Sequence, residues 1–329
     1  MKLKGVLLYS GGLDSTLAGL ICERLGIEVY PYHLKTPFCQ CPSVKIPEEK
    51  IPFLKKIKLE VAGVDYVKNV VFTPKYGYGS GMNPCIDCRI YLFKKAKEYL
   101  KTINGDLLIT GEVLNQRPMS QHLHQLKIIE KEAEVKGIVL RPLSQKLLPP
   151  TIFEEKGLIN RENFYAIKGR ERKEQLKLLQ EFNIFEIPPT SCGCLLVDKN
   201  FSKRLRDFKN HLKNDFDLLD IEVLKIGRHF RIDGKKYILG RNKQENEKLL
   251  KIGELKNFWI IIPKNFNAPL LITPEEEIDK TPFYLILAYT KETKKDFLFI
   301  IKKGREIIKE EDITLEKIPQ REDFSNYKL

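Results

Sequence analysis

A chain of 329 residues and 38.3 kDa is long enough for two domains, and its 42% apolar content excludes wholesale disorder. No apolar run approaches the ~18 residues of a membrane span, which excludes a helical membrane protein. The excess of 57 Lys and Arg over 44 Asp and Glu, +13 in all with a pI near 9.2, points to a polyanionic partner, nucleic acid first. The competing reading of that charge is a Lys- and Glu-rich surface of the heat-adapted kind.

The N-terminal run MKLKGVLLYSGG ends in glycines, without a small-residue cleavage site. It reads as a first strand over Val6–Tyr9 and not as a signal peptide, so a cytoplasmic protein is expected. A helix follows over Ser15–Arg24 and a second strand over Ile27–Leu34. A helix is expected over Glu48–Ala62, a third strand over Tyr66–Phe72, a helix over Ile86–Leu100 and a fourth strand over Asp106–Gly111. Strands alternating with helices predict an α/β domain, a parallel sheet with helices on both faces. Lys168–Phe182 reads as a charged helix broken by Glu186-Ile-Pro-Pro-Thr190, and Phe201–Leu212 as a basic helix. Beyond Asp220, short apolar runs at Tyr237–Leu239, Trp259–Ile262, Tyr284–Ala288 and Phe297–Ile301 alternate with turns, which predicts a smaller α+β domain. The expected division is 1–198 for the first domain, 199–219 for a helical connector and 220–329 for the second.

The strongest chemical signal is Ser10-Gly11-Gly12-Leu13-Asp14-Ser15, between the first strand and the first helix. Ser10, Gly11 and Gly12 let backbone approach an anion, Ser15 adds a hydroxyl, and the helix start supplies free N–H groups. Asp14 beside a phosphate would help to hold Mg²⁺ or orient the loop. The Gly-Lys-Ser/Thr ending of a Walker A loop is absent. SGGLDS resembles the SGGxDS signature of the PP-loop ATP pyrophosphatase superfamily. That resemblance implies an adenine nucleotide alpha hydrolase-like sheet, ATP with Mg²⁺ as cofactors, and adenylation of a substrate carbonyl. It also places adenine near Tyr32, His33 and Leu34.

Seven cysteines in a reducing compartment argue against structural disulfides, and six fall in close pairs: Cys39 and Cys41, Cys85 and Cys88, Cys192 and Cys194. Cys85 and Cys88 open a predicted helix, where thiol pKa values are expected to fall. Asn83-Pro84-Cys85-Ile86-Asp87-Cys88 resembles the NPCxxC segment of tRNA 2-thiouridylases. Gly111-Glu112 through Gln121 resembles the TGExxxQxxSQ segment of 4-thiouridine synthetases, which implies that Gly111 and Glu112 help to close the nucleotide site. Cluster-dependent thiolases of this superfamily use a CxxC and one distant cysteine. By that resemblance Cys85, Cys88 and Cys194 would hold a [4Fe–4S] cluster with one iron open, and Asp14 and the three cysteines would be the catalytic set. Two other readings stand beside it: a structural zinc on Cys85, Cys88, Cys192 and Cys194, or a metal-free persulfide with a resolving cysteine. Cys39 and Cys41 would bind metal, assist sulfur delivery or do neither. Cys22, on an apolar helix face, is expected in the core.

Residues 199–256 carry 16 Lys and Arg against 9 Asp and Glu, a patch suited to phosphate backbones. Within it, Gly240-Arg-Asn-Lys-Gln-Glu-Asn-Glu-Lys-Leu-Leu250 resembles the core motif of the NFACT-R RNA-binding domain. Together the resemblances imply an ATP-dependent tRNA sulfurtransferase that takes sulfur from sulfide or a persulfide carrier protein and has no membrane partner. The alternatives are an amide or nitrile synthetase with structural zinc and a non-catalytic RNA-binding protein. Neither the nucleotide modified nor the oligomeric state follows from the motifs.

Overall fold

The computed structural model describes residues 2–40, 51–185, 193–212 and 215–329. The chain divides into two compact units, Met1–Asp198 and Lys199–Leu329. Among the described residues no helix is long and apolar enough to cross a membrane.

The first unit is built on five strands: β1 Lys4–Leu8, β2 Glu28–Lys35, β3 Lys58–Val61, β4 Leu107–Thr110 and β5 Val139–Leu140. All pair in parallel, in the order β3-β2-β1-β4-β5. Its helices are α1 Leu13–Arg24, the single turn α2 Val64–Tyr66, α3 Cys85–Thr102, α4 Leu123–Glu132, the short α5 Ile152–Glu155 and α6 Lys173–Glu181. The period-2 alternation of the central strands decides the layering. Leu7, Leu107 and Ile109 point into one core with Leu13, Leu17 and Ile21 of α1 and with Leu178 and Leu179 of α6. Val6, Leu8 and Leu108 point into the other, with Ile90, Phe93 and Leu100 of α3 and Ile129 of α4. Helices therefore cover both faces, as the alternation of elements predicts. The chain winds one way from β1 to β3 and the other way through β4 and β5, so a crevice opens where β1 and β4 end side by side.

Two expected elements differ. In the described part of the helix expected over Glu48–Ala62, Pro52–Lys56 forms a 3₁₀ turn and Lys58–Val61 is β3. Pro52 cannot donate to a helical ladder, and Lys58–Val61 pairs in parallel with β2. Tyr66–Phe72, expected as the third strand, is helical: α2 runs on into a π-helical stretch over Val67–Phe72. Its buried residues, Tyr66 and Val67, then Val70, Val71 and Phe72, recur one helical turn apart, which a short β-branched run masks. The helix expected from Lys168 begins at Lys173, because 168–169 pair backbone to backbone with Leu114. The break at 186–190 lies outside the described residues, as do Cys41 and Cys192.

The second unit is a six-stranded antiparallel sheet of β6 Arg228–Ile232, β7 Lys235–Leu239, β8 Trp259–Pro263, β9 Leu271–Thr273, β10 Asp296–Lys303 and β11 Glu306–Thr314. Their order is β11-β10-β8-β9-β7-β6. Its helices are α7 Lys199–Asn210, α8 Leu218–Val223, α9 Lys243–Leu255 and α10 Thr281–Leu287. Ile238, Ile260 and Ile272 meet α9 on one face. Phe230, Leu271 and Phe299 meet α10 on the other. The β6–β7 hairpin turns on Asp233 and Gly234, both at positive φ, the geometry that matches strand twist. The stretch read as a connector includes α7, which packs into this unit. Its Asp207 accepts two hydrogen bonds from Arg231, at 3.0 and 2.9 Å, and one from Lys236 at 2.7 Å.

Candidate functional site

At the end of β1 the chain turns through Ser10-Gly11-Gly12 into α1. Gly11 sits at φ +77°, where an L side chain is strained, and open space lies beside its Cα. Gly12 caps α1 with its backbone, and no side chain caps the helix start. Ser15 Oγ and Thr16 Oγ1 donate back to the Gly12 carbonyl at 2.9 and 3.0 Å, and Ser10 Oγ lies 3.1 Å from Ser15 Oγ. The loop is thus folded by its own hydroxyls into a cradle of backbone N–H groups at the positive end of a twelve-residue helix.

Asp14 is engaged from the start of α6. Its carboxylate meets Arg172 Nη1 at 3.1 Å and Gln175 Nε2 at 3.5 Å. Burial pushes its pKa up, only partly countered by Arg172. Gln116 faces Asp14 and helps to lower its pKa, although its buried Nε2 makes no hydrogen bond of full geometry among the described residues. A weakly engaged buried donor beside an open glycine cradle fits a phosphorylated ligand.

The exit of β4 is pressed against this loop. A Cβ on Gly111 would lie 2.4 Å from the Asp14 carbonyl, so the segment quoted as Gly111-Glu112 requires glycine at its head. Glu112 is 2% exposed and accepts from Arg89 Nε at 2.9 Å and Arg141 Nε at 3.0 Å. Burial pushes its carboxyl up, but the two arginines outweigh this and hold it below its usual value. Glu112 is therefore the hub of a buried ion cluster that frames the site. Arg89 lies in the first turns of α3 and also reaches Thr110 Oγ1 at 3.4 Å. It ties the cysteine-bearing helix to the tip of β4.

His33 Nδ1 lies 2.8 Å from the Tyr9 carbonyl and, since a carbonyl only accepts, carries the proton there. It links the end of β2 to the end of β1. Tyr32, an expected neighbour of adenine, is fully buried, its hydroxyl bonded to Glu60 and its ring stacked on Tyr99, and belongs to the core.

The cysteines come together through backbone pairing. Residues 193–195 run antiparallel to 38–40: Gln40 N–H donates to the Gly193 carbonyl at 3.0 Å and Leu195 N–H to the Phe38 carbonyl at 2.9 Å. Met82 N–H donates to the Leu196 carbonyl at 2.9 Å. The segment is thereby clamped between the loop after β2 and the loop before α3. Cys194 faces Cys88, Cys85 and Cys39 closely enough for each thiolate to disfavour ionisation of its own. Tyr66 donates to Cys88 Sγ at 3.2 Å, and Asn83 Nδ2 to Cys85 Sγ at 3.2 Å. The expected fall in thiol pKa at the start of α3 is not found at Cys88. Burial pushes its pKa up, Tyr66 and Arg89 only partly offset this, and the other cysteines add to it. Burial, with the same repulsion, pushes Cys194 up to about 12. Four neighbouring thiols are a soft donor set that suits a thiophilic metal or cluster. Among the described residues, however, no group of three or more His, Cys, Asp or Glu stands in metal-holding geometry. Cys22 is fully buried in the core, as expected.

Arg117, between the two centres, is pushed down by burial first, then by Arg89, while Asp14 and Cys85 both raise it. One arginine thus senses the phosphate loop and the cysteines at once. A cavity of about 510 Å³ opens between Asn115 and the 167–174 segment, lined in part by Lys168, Arg170 and Lys173. Arg89, Arg141 and Arg172 carry no motif signal in the sequence, and Arg117 lies within the Gly111–Gln121 segment at a position that the resemblance leaves unspecified. Arg89 alone leaves a local trace, a cation in the first turns of a helix, where the dipole disfavours it.

Residues 1–146 match the family model described as thiamine biosynthesis protein (ThiI), and residues 227–327 match that of the NFACT protein RNA binding domain. The tRNA-specific 2-thiouridylase MnmA of Methylobacillus flagellatus is 28% identical over 174 residues, 49% of this chain and 48% of that protein. A probable tRNA sulfurtransferase of Methanocaldococcus jannaschii is 28% identical over 151 residues, 43% of this chain and 36% of that one. The chain thus spans less than half the length of either relative. A solved 4-thiouridine synthetase–RNA complex with bound ATP aligns with a TM-score of 0.33 at 20% identity, covering 55% of this chain and 51% of that one. The two family-model matches therefore fall one in each unit, that of ThiI within the first and that of the NFACT protein RNA binding domain within the second.

Proposed function

We propose that this protein is an ATP-dependent tRNA sulfurtransferase. ATP, with Mg²⁺ as its counter-ion, lies with its phosphates on the Ser10–Ser15 cradle, and Gln116 Nε2 and Arg117 complete its polar contacts. The base carbonyl oxygen attacks the α-phosphorus and pyrophosphate leaves. Sulfur then adds to the activated carbon, and the C–O bond to AMP breaks. The target base must be unstacked or already in a loop to reach this crevice. Cys85, Cys88 and Cys194 would hold an iron–sulfur cluster, which when bound would supply a site for hydrosulfide. The chain's own residues contribute the rest: Arg89 and Glu112 fix α3 against β4, and Arg172 holds Asp14 and with it the loop.

The observation that carries this reading is the joint at the ends of β1 and β4. Gly111 touches the phosphate loop, while the next residue, Glu112, grips Arg89 of the cysteine helix. The ThiI-family match over 1–146 and the two tRNA-thiolating relatives support it.

The test is anaerobic incubation of the purified protein with tRNA, Mg-ATP and sulfide. Pyrophosphate release that requires tRNA, with a thiolated nucleoside seen by mass spectrometry, is the expected result. AMP formation from ammonia and a small acid without RNA would overturn it in favour of an amide synthetase.

A further inference from the structure

The second unit holds an arrangement of charge that its packing does not explain. The Arg228 guanidinium sits 4.7 Å from the centre of the Tyr289 ring, and that of Arg321 sits 5.0 Å from the same ring. The two cations therefore lie within about one Debye length of each other at ordinary ionic strength, ~10 Å. Neither forms an ion pair with a carboxylate among the described residues. The nearby acid, Glu245, is already taken by Arg241, whose Nε and Nη2 donate to it at 2.9 and 2.5 Å.

The arrangement is built, not incidental. Tyr289 is set edge-on against buried Phe230 of β6. Arg228 opens β6 and donates from Nη1 to the Gly240 carbonyl at 2.9 Å. Gly240 is pinned in turn by the Gly240–Leu250 motif: Asn242 caps α9 by accepting from Glu245 N–H, and Asn246 Oδ1 fills the space where a Gly240 Cβ would stand. Much of the polar chemistry of that motif is thus consumed in holding Arg228. Arg321 arrives from the other side. β6 is the edge of the sheet, and its outer side is met by the segment after β11. Phe230 bridges Lys328, and Leu329 N–H donates to the His229 carbonyl at 2.9 Å. That pairing brings the exposed Arg321 over Tyr289. Two like charges gathered on one ring repel: burial first, then Arg321 and Arg241, push the Arg228 pKa down, while Tyr289 and the already paired Glu245 offset this in part. An anion between them relieves this.

We propose that Arg228 and Arg321, held over Tyr289 at the β6 edge, are a binding site for backbone phosphates of RNA. The proposal rests on the reading that this unit binds RNA, and it names where. The fork geometry of guanidinium suits phosphate oxygens, and the ring beneath fixes both forks in place.

The experiment is titration of the full chain with a fluorescein-labelled tRNA transcript, followed by anisotropy between ~50 and ~200 mM salt. Arg228→Gln with Arg321→Gln should weaken binding roughly tenfold and flatten the dependence of log Kd on log salt by about two counter-ions. The single variant Arg321→Gln, at an exposed position, should show about half that flattening without a change in thermal melting. The paired lysine variants, which keep the charges, should recover most of the salt slope. If the variants bind with the wild-type affinity and slope, the site is wrong while the RNA-binding reading stands. If the wild-type chain binds no tRNA, both fall.

Discussion

A methyl group on Gly111 would stand 2.4 Å from the carbonyl carbon and oxygen of Asp14 and 2.5 Å from the amide nitrogen of Ser15. Two loops that are nearly a hundred residues apart in sequence therefore share one wall. All three clashing atoms are backbone, so no side-chain rotation relieves the overlap.

Gly111→Ala should destabilise the first unit by about 1–3 kcal/mol, the usual cost of overpacking. It should weaken nucleotide binding more than its stability loss predicts, because the displaced atoms are the cradle itself. Thermal melting beside titration with a fluorescent ATP analogue separates the two effects. Unchanged affinity in a folded variant would contradict the placement of the phosphate loop.

Glu112→Gln should be among the most damaging single changes in the first unit. Arg141 is 3% exposed, and loss of the carboxylate leaves it a buried charge with one remaining partner, Glu130, a change of about 3–5 kcal/mol. The folded carboxyl is held below its unfolded value, so its stabilisation is present above that value, ~4.3, and is lost as pH falls through the lower folded pKa. Urea midpoints of wild type and variant should therefore converge as the solution is acidified below pH ~4 and stay apart at pH 7. A constant gap across that range would refute the assignment.

Asp14 has the opposite sign. Burial raises its folded pKa, so at neutral pH its ionised form is held at a cost, and stability is regained as pH falls through the raised value. Asp14→Asn should leave thermal stability at pH 7 unchanged or higher, while tRNA-dependent pyrophosphate release falls by about two orders of magnitude or more through misplacement of the loop. A variant that melts earlier and still turns over would reverse the reading.

The thiols at 88 and 194 should be sluggish in the metal-free protein. With Cys194 pushed up to about 12 and Cys88 also raised, alkylation by iodoacetamide at pH 8 should run more than ~10-fold slower at both than at a free cysteine. Loading with iron and sulfide should release protons and produce visible absorbance. Cys85→Ser, Cys88→Ser and Cys194→Ser should each lose that absorbance, whereas Cys22→Ala, in the core, should keep it. A colourless protein with one tightly held zinc would support the structural-zinc alternative.

Local pattern was enough to read much of this protein. Ser10–Ser15 announces a strand-to-helix turn because glycine and hydroxyl chemistry act within six residues. The continuous apolar runs of β1 and β4 announce strands buried on both faces, and the +7 excess over 199–256 announces an anionic partner. These are short-range properties, set by backbone sterics and side-chain periodicity. The same logic failed at 66–72, where a β-branched run fits either period and packing of Tyr66, Val67, Val70 and Val71 chose the helix. Only the tertiary structure decided that 193–195 would pair with 38–40 and carry Cys194 to Cys85 and Cys88, that Arg89 and Arg141 would close on Glu112, and that Arg321 would reach the ring that Arg228 already covers. Each of these contacts joins residues far apart along the chain, and a side chain's partner across such a distance is fixed by how sheets and helices stack, which no local spacing encodes.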